Sequence, residues 1–178
     1  MKLQWISTLA VAGAFFCCTN APKVDKVAEL NKQLTELDQS MGGASVTDKS
    51  KAQTFIKTAE ELASLLEKTD QNQYVDLLLK AAGLAKTIEN PNKAIELYQK
   101  VSDGLPQHPK APTALFMTGF VYENDLNNID KAKAVYESFL QKYPNDPDFL
   151  DDAQNALKML GKTPDEIIKE FEQQQPKQ

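Results

Sequence analysis

The sequence contains no arginine, a single histidine and one adjacent pair of cysteines. All 20 basic residues are lysines and 25 residues are acidic, which gives a formal net charge of −5. Because arginine supplies the planar fork that reads phosphate and guanine, an acidic chain without it is a poor candidate for nucleic-acid binding. One histidine and two neighbouring cysteines leave no zinc cluster and no Cys–His nucleophile pair. Composition therefore argues against nucleic-acid binders, most metalloenzymes and disulfide scaffolds.

The chain is long enough for one domain with a short appendage, since it has 178 residues. Hydrophobic residues make up 42% of it, which is enough to bury a core. The organisation that we predict is a leader at 1–18, an N-terminal helical hairpin at 19–72, a repeat domain at 73–171 and a disordered tail at 172–178.

The first eighteen residues have the pattern of an export signal. Lys2 provides a positive start, and the apolar stretch 3–16 follows it. This stretch is shorter than the roughly 20 residues that a membrane span requires. A charged end, a short apolar segment and small residues after it are typical of a secretory signal. Both cysteines lie where the segment ends, and the sequence then becomes polar.

A cysteine that closes such a segment resembles the signal of bacterial lipoproteins. The resemblance implies cleavage before the cysteine and attachment of a diacylglycerol to its sulfur. A small residue is preferred directly before the cut, so Cys18 is the better site and Cys17 the alternative. The implied location is the bacterial cell envelope, with a lipid anchor in the outer membrane and the protein facing the periplasm. The alternatives are an uncleaved anchor and an ordinary secretory peptide with two incidental cysteines.

Two amphipathic helices are predicted before the repeats. The first, over 22–41, carries an apolar stripe with the alternating three- and four-residue spacing of a heptad, at Val27, Leu30, Leu34, Leu37 and Met41. The stripe predicts either docking on the next helix or, less favoured because it is short, self-association as a coiled coil. The second helix, over 49–68, has an apolar face and a cap at Thr47 or Asp48.

From Tyr74 onward the sequence repeats itself at a constant offset. The matching pairs, which all share this offset, are Ala94 with Ala132, Tyr98 with Tyr136 and Pro106 with Pro144. Upstream of them, Ala82 and Gly119 provide a small residue on the preceding helix. The pattern predicts two helical hairpins of the same design, and a third, degenerate unit begins at Asp148.

This arrangement resembles the tetratricopeptide repeat (TPR), in which small residues sit where paired helices cross. The period here is longer than the roughly 34 residues usual for that repeat, and the resemblance extends from Tyr74 to Phe171. It is similar to the repeats of envelope lipoproteins of the barrel-assembly and Tol–Pal-associated kind. The resemblance implies an all-α, short right-handed helical-repeat solenoid preceded by the two amphipathic helices.

The resemblance also implies a groove lined by the first helix of each unit. Its residues would be Asp76, Leu79, Gly83 and Lys86 in unit one and Thr113, Phe116, Phe120, Glu123 and Asn124 in unit two. Phe116 and Phe120 are four positions apart and would share a face that holds apolar anchors of a partner. The alternative for both rings is ordinary core.

The remaining chemistry-bearing residues predict no reaction centre. His108 lies in a loop and is expected to be solvated. The acidic residues around Asp146 lack the turn and the closing glutamate of a calcium loop. Gly42-Gly43 lacks the lysine and hydroxyl residue of a phosphate loop. We therefore expect no cofactor, no metal and no enzymatic activity.

The function that these patterns favour is a membrane-anchored, non-catalytic scaffold that binds other envelope proteins or their peptide segments. The alternative is a lipoprotein that captures a sugar or peptide ligand, which would need a pocket with several aromatic rings. The sequence leaves the oligomeric state open.

Overall fold

The computed structural model describes residues 21–42 and 48–174, which form eight α-helices and no strand. The helices are α1 (Ala21–Met41), α2 (Lys49–Leu66), α3 (Gln71–Thr87), α4 (Pro91–Ser102), α5 (Ala111–Asn124), α6 (Ile129–Lys142), α7 (Leu150–Met159) and α8 (Pro164–Gln174). From α1 to α7, each helix packs against the next one along the chain. The chain is an all-α helical-repeat solenoid, as predicted. The predicted leader with Cys17 and Cys18, and residues 175–178, lie outside the described residues.

The apolar stripe of α1 docks on the chain's own core. Leu30 and Leu34 are buried, and the other three stripe residues are half-buried against the same core cluster. Docking on the next helix therefore accounts for the stripe without a coiled coil. At the start of α2, the side chain of Asp48 accepts hydrogen bonds from the backbone N–H groups of Ser50 and Lys51, so it forms the predicted cap.

The hairpins α3–α4 and α5–α6 repeat each other in detail. Asn90 and Asn128 are separated by the same offset as the matching alanines and tyrosines. Each caps the second helix of its hairpin by accepting from the backbone N–H three residues on. The residue before each cap is left-handed, with φ of 62° at Glu89 and 47° at Asn127. The turn between the helices is one residue longer in the second hairpin. This explains why the separation in sequence between Ala82 and Gly119 is one residue shorter than the separation within the other matching pairs.

The core is continuous across the predicted boundary between the N-terminal hairpin and the repeats. One cluster of buried residues runs from Leu30 on α1 to Val121 on α5. The boundary predicted at 72/73 falls inside α3 rather than in a loop. A second cluster joins α5, α6 and α7 and contains Phe116, Tyr136 and Phe139. The N-terminal hairpin and the two repeats thus share one stack of helices.

The C-terminal end differs from the predicted third hairpin. α7 packs on α6, but α8 makes only marginal contact with any helix in the described part of the chain. Thr163 and Glu166 form a reciprocal capping box that starts α8, with Pro164 at the first helical position. The helix runs to Gln174 and so replaces the tail predicted for residues 172–174. Among the described helices, none is both long and apolar enough to cross a membrane.

Candidate functional site: the α3–α5 face

The predicted groove residues fall on two helices that are linked by side chains. We define the α3–α5 face as the surface formed by Asp76, Leu79, Gly83 and Lys86 of α3 with Thr113, Phe120, Glu123 and Asn124 of α5. Polar and aromatic contacts tie α3 to α5 at both ends of this surface.

At the C-terminal end of both helices, Lys86 bridges the two repeats. Its Nζ lies 5.0 Å from the centre of the Phe120 ring and 3.8 Å from Oδ1 of Asp125. A cation over a ring at a partly exposed site contributes about 0.5–1 kcal/mol. The structure therefore brings together two predicted groove residues, Lys86 and Phe120, and adds Asp125, which the sequence analysis did not select.

At the N-terminal end of both helices, the loop before α5 is fastened to α3. Nζ of Lys110 donates to Oδ1 of Asp76. His108 accepts from the backbone N–H of Lys110 at Nδ1 and lies 3.1 Å from Oδ1 of Asn72 through Nε2. Because Nδ1 accepts, Nε2 carries the proton and donates to Asn72. The prediction that His108 is simply solvated is incomplete, since both ring nitrogens take part in hydrogen bonds and Nε2 links the loop to α3.

Phe116 does not belong to the face. Its side chain is 8% exposed and stacks on Phe149, with ring centres 4.6 Å apart. It also contacts Tyr136 at 5.6 Å and Phe139 at 6.1 Å. The prediction that Phe116 and Phe120 form a shared groove pair is therefore wrong, and the alternative of ordinary core holds for Phe116. The physical reason is that Phe116 points toward α6 and α7, whereas Phe120 points toward α3.

Glu123 is held by a residue of its own hairpin. Oη of Tyr136 donates to Oε2 of Glu123 at 2.8 Å. Burial, and then the hydrogen bond to Glu123, raise the pKa of Tyr136, so the phenol stays protonated and remains a donor. Glu123 thus fixes the position of Tyr136 between α5 and α6 and offers only part of its carboxylate to a partner.

The close contact of α5 with α6 depends on Gly119. A Cβ at this position would lie 2.6 Å from Cε1 of Tyr136, which is closer than two carbon atoms can approach. Ala94 and Ala132 are fully buried on the facing helices. These contacts confirm the prediction that small residues occupy the helix crossings.

The middle of the face is open. A Cβ at Gly83 would meet no atom within 4 Å, so this position leaves free space on α3. Leu79 and Thr113 are half-buried, and Asn124 is exposed, with its amide donating to the carbonyl of Phe120 at 3.1 Å. The face thus offers an aromatic ring, a lysine, an exposed polar group and free space at Gly83, which suits contact with a peptide.

Three shallow clefts lie elsewhere on the molecule, with volumes of about 300, 400 and 400 Å³. Each is lined by at most one aromatic residue of the Phe, Tyr or Trp type. Within residues 21–42 and 48–174, no group of three or more histidine, cysteine or acidic side chains is placed to hold a metal ion.

Comparison with known proteins supports the repeat assignment. The family model described as "Tetratricopeptide repeat" matches residues 113–146, which cover α5, α6 and the residues that follow them. No curated protein and no solved structure matches the chain. Residues 113–146 are therefore a tetratricopeptide repeat. Such repeats generally mediate protein–protein interactions and are generally non-catalytic.

Proposed function

We propose that this protein is a non-catalytic scaffold that binds a peptide segment of another envelope protein on its α3–α5 face. The observation that carries the proposal is the pairing of a tetratricopeptide repeat at 113–146 with a second hairpin of the same design directly before it. Stacked repeats of this kind create a concave binding surface.

The chemistry of the face indicates how a segment would bind. Phe120 and Leu79 offer apolar surface beside the space above Gly83. Lys86 and Asp76 already take part in ion pairs across the face, at its opposite ends. Such pairs arrange the side chains before binding, which reduces the entropy that a partner must overcome. An extended or helical segment with an apolar anchor fits this surface best.

A photo-crosslinking experiment tests the face. A crosslinker at Asn124 should capture a partner in solubilised membranes, and the charge-introducing variant Phe120→Glu should abolish that capture while the helix content stays the same. The matched control adds the same charge on α6 with Gln141→Glu, an exposed position away from the face. Capture that survives Phe120→Glu, or that is lost equally with Gln141→Glu, would rule out this binding surface.

Anchoring by a lipidated cysteine is the second part of the proposal. It rests on the sequence alone: the positive start, the short apolar segment and the adjacent Cys17 and Cys18. A single acyl chain binds a membrane only weakly, whereas two or three hold a protein firmly. On this proposal the protein is attached to the outer membrane and faces the periplasm.

The anchor is tested with the Cys17→Ser, Cys18→Ser and double variants. We expect Cys18→Ser and the double variant to lose incorporation of a fatty-acid label and to move to the soluble fraction, while Cys17→Ser keeps both. A double variant that stays membrane-bound with unchanged mass would contradict the anchor. Each of the three clefts has at most one aromatic ring, so none of them favours a sugar- or peptide-capturing pocket.

A further inference from the structure

A cleft of about 300 Å³ lies on a part of the solenoid that the α3–α5 face does not include. Its lining comes from three helices: Glu60, Ala63, Ser64 and the cap residue Glu67 from α2, Tyr74 and Leu78 from α3, and Lys100 from α4. The cleft is at the small end of the range for ligand sites, so it suits a single side chain better than a whole cofactor.

Two of the charged lining residues, Glu60 and Lys100, already form ion pairs. Oε1 of Glu60 receives Nζ of Lys93 at 2.7 Å and Nζ of Lys100 at 3.1 Å. Lys100 also pairs with Oε1 of Glu96 at 2.9 Å. These four residues form a closed network, so neither Glu60 nor Lys100 requires a further partner.

Two other lining residues, Glu67 and Tyr74, are not satisfied in this way. Among the described residues, no ion pair reaches the carboxylate of Glu67, and no hydrogen bond partner is found for the hydroxyl of Tyr74. Burial, and then the charge of Glu67, raise the pKa of Tyr74 and outweigh the charge of Lys100, which acts in the opposite direction, so the hydroxyl stays protonated. Glu67 also lies at the C-terminal end of α2, where the helix dipole is negative and favours a cation.

The rest of the lining is largely apolar. Ala63 and Leu78 are buried, and the ring of Tyr74 lies half-buried next to them. Of the three charged lining residues, two are acidic and one is basic, so the cleft carries one net negative charge. An apolar lining beside the negative charge of Glu67 matches a side chain that has an alkyl stem and a positive tip.

We propose that this cleft binds the side chain of a lysine from a basic segment of a partner protein, with the alkyl stem on Ala63 and Leu78 and the ammonium group between Glu67 and Tyr74. The site is separate from the α3–α5 face and does not depend on the peptide binding proposed there. It would give the scaffold a second point of attachment, at which charge rather than an apolar anchor selects the partner.

Titration of the full chain, purified in detergent, with a short capped lysine peptide tests the site. We expect amide chemical-shift changes at Ala63, Glu67, Tyr74 and Leu78 in the NMR spectrum. A norleucine peptide of equal stem length should bind more weakly because it lacks the charge. Equal binding of the norleucine peptide, equal binding of an arginine peptide, or shift changes elsewhere would overturn the lysine assignment.

The variant Glu67→Gln removes the charge and keeps the shape. We expect it to weaken lysine-peptide binding by up to about fivefold, the value for an exposed ion pair of about 1 kcal/mol. The matched control is Glu137→Gln, an exposed glutamate on α6, which should leave binding unchanged. Unchanged binding in Glu67→Gln would refute the site. Phe120→Glu should leave it intact, so a failure of the proposed α3–α5 face is distinguishable from a failure of this cleft.

Discussion

The hairpins α3–α4 and α5–α6 share a backbone plan but fill it with different side chains. In the first hairpin, Tyr98 lies in an aliphatic and alanine-rich core that continues into α1 and α2. In the second, Tyr136 lies in an aromatic cluster with Phe116 and Phe139. The spacing of caps and small residues therefore fixes the hairpin, while the bulky residues decide which neighbouring helices it packs against.

The two tyrosines differ in what their hydroxyl groups meet. Burial, and then the charge of Asp125, raise the pKa of Tyr98 to about 12. Tyr136 instead donates directly to the carboxylate of Glu123. Equivalent positions in the two hairpins therefore have different stabilising contacts. Variants at these matched positions can measure the contribution of each contact.

The largest effect is expected for truncation of an aromatic residue in the second hairpin. Phe116→Ala should destabilise the protein by about 3–5 kcal/mol, because it removes three ring contacts from a buried site. Phe120→Ala should cost much less, because its ring is only half-buried. Urea unfolding followed by circular dichroism measures both. Equal losses would mean that the two rings are not buried to different extents.

Glycine substitutions test the helix crossing. Gly119→Ala should destabilise the protein by about 1–3 kcal/mol, since the new Cβ would overlap the ring of Tyr136. Gly83→Ala is the matched control within α3, where a Cβ has free space, and should stabilise by up to about 1 kcal/mol through helix propensity. Thermal unfolding of both variants gives the comparison, and a stabilised Gly119→Ala would contradict the close contact with Tyr136.

Removing the hydroxyl group of each tyrosine should change the stability of the protein by different amounts. Tyr136→Phe should cost about 1.5 kcal/mol, because it deletes a hydrogen bond to a charged acceptor. Tyr98→Phe should be close to neutral, since no hydrogen bond from its hydroxyl is present in the described part of the chain. Chemical denaturation at neutral pH measures the two differences. If the two variants lose equal stability, the bond to Glu123 does not distinguish the hairpins.

The smallest effect concerns an ion-pair network that only the first hairpin has. Hydrogen bonds from Lys100 and then Lys93 lower the pKa of Glu96, and the matching position in the second hairpin is Ala134. A lowered folded-state pKa stabilises above the ordinary value of 4.5, and the stabilisation disappears as the pH falls through the folded-state pKa. We expect less than about 1 kcal/mol, because Glu96 is half-exposed.

Urea midpoints of the parent and of Glu96→Gln, measured from pH 6 down to pH 3, test this. The advantage of the parent should shrink as the pH falls. The corresponding comparison in the second hairpin uses Glu137→Gln, whose glutamate is exposed and 4.0 Å from a single lysine. An advantage for Glu96 that persists unchanged at pH 3 would show that its effect is not electrostatic.

Much of the fold follows from local sequence patterns. The predicted helices 22–41 and 49–68 correspond to α1 and α2 within two residues at each end. Asp48, one of the two predicted candidates, forms the cap of α2, because capping depends on neighbouring backbone groups alone. The candidate face was predicted less well. Lys86 and Phe120 meet as neighbours on it, but Asp125 and His108 were missed because their partners, Lys86 and Asn72, are distant in sequence.

The helices, the repeating hairpin and the small residue at the α5–α6 crossing follow from the sequence pattern, since each depends on spacing along one or two adjacent helices. That Phe116 enters the core while Phe120 stays on the face follows only from how the helices pack. Four residues advance a helix by about 40° beyond one full turn, so two such side chains can meet different neighbours in a stack. The tertiary structure also leaves α8 with only marginal contact to the other described helices, although its sequence has a cap and an apolar pattern like theirs.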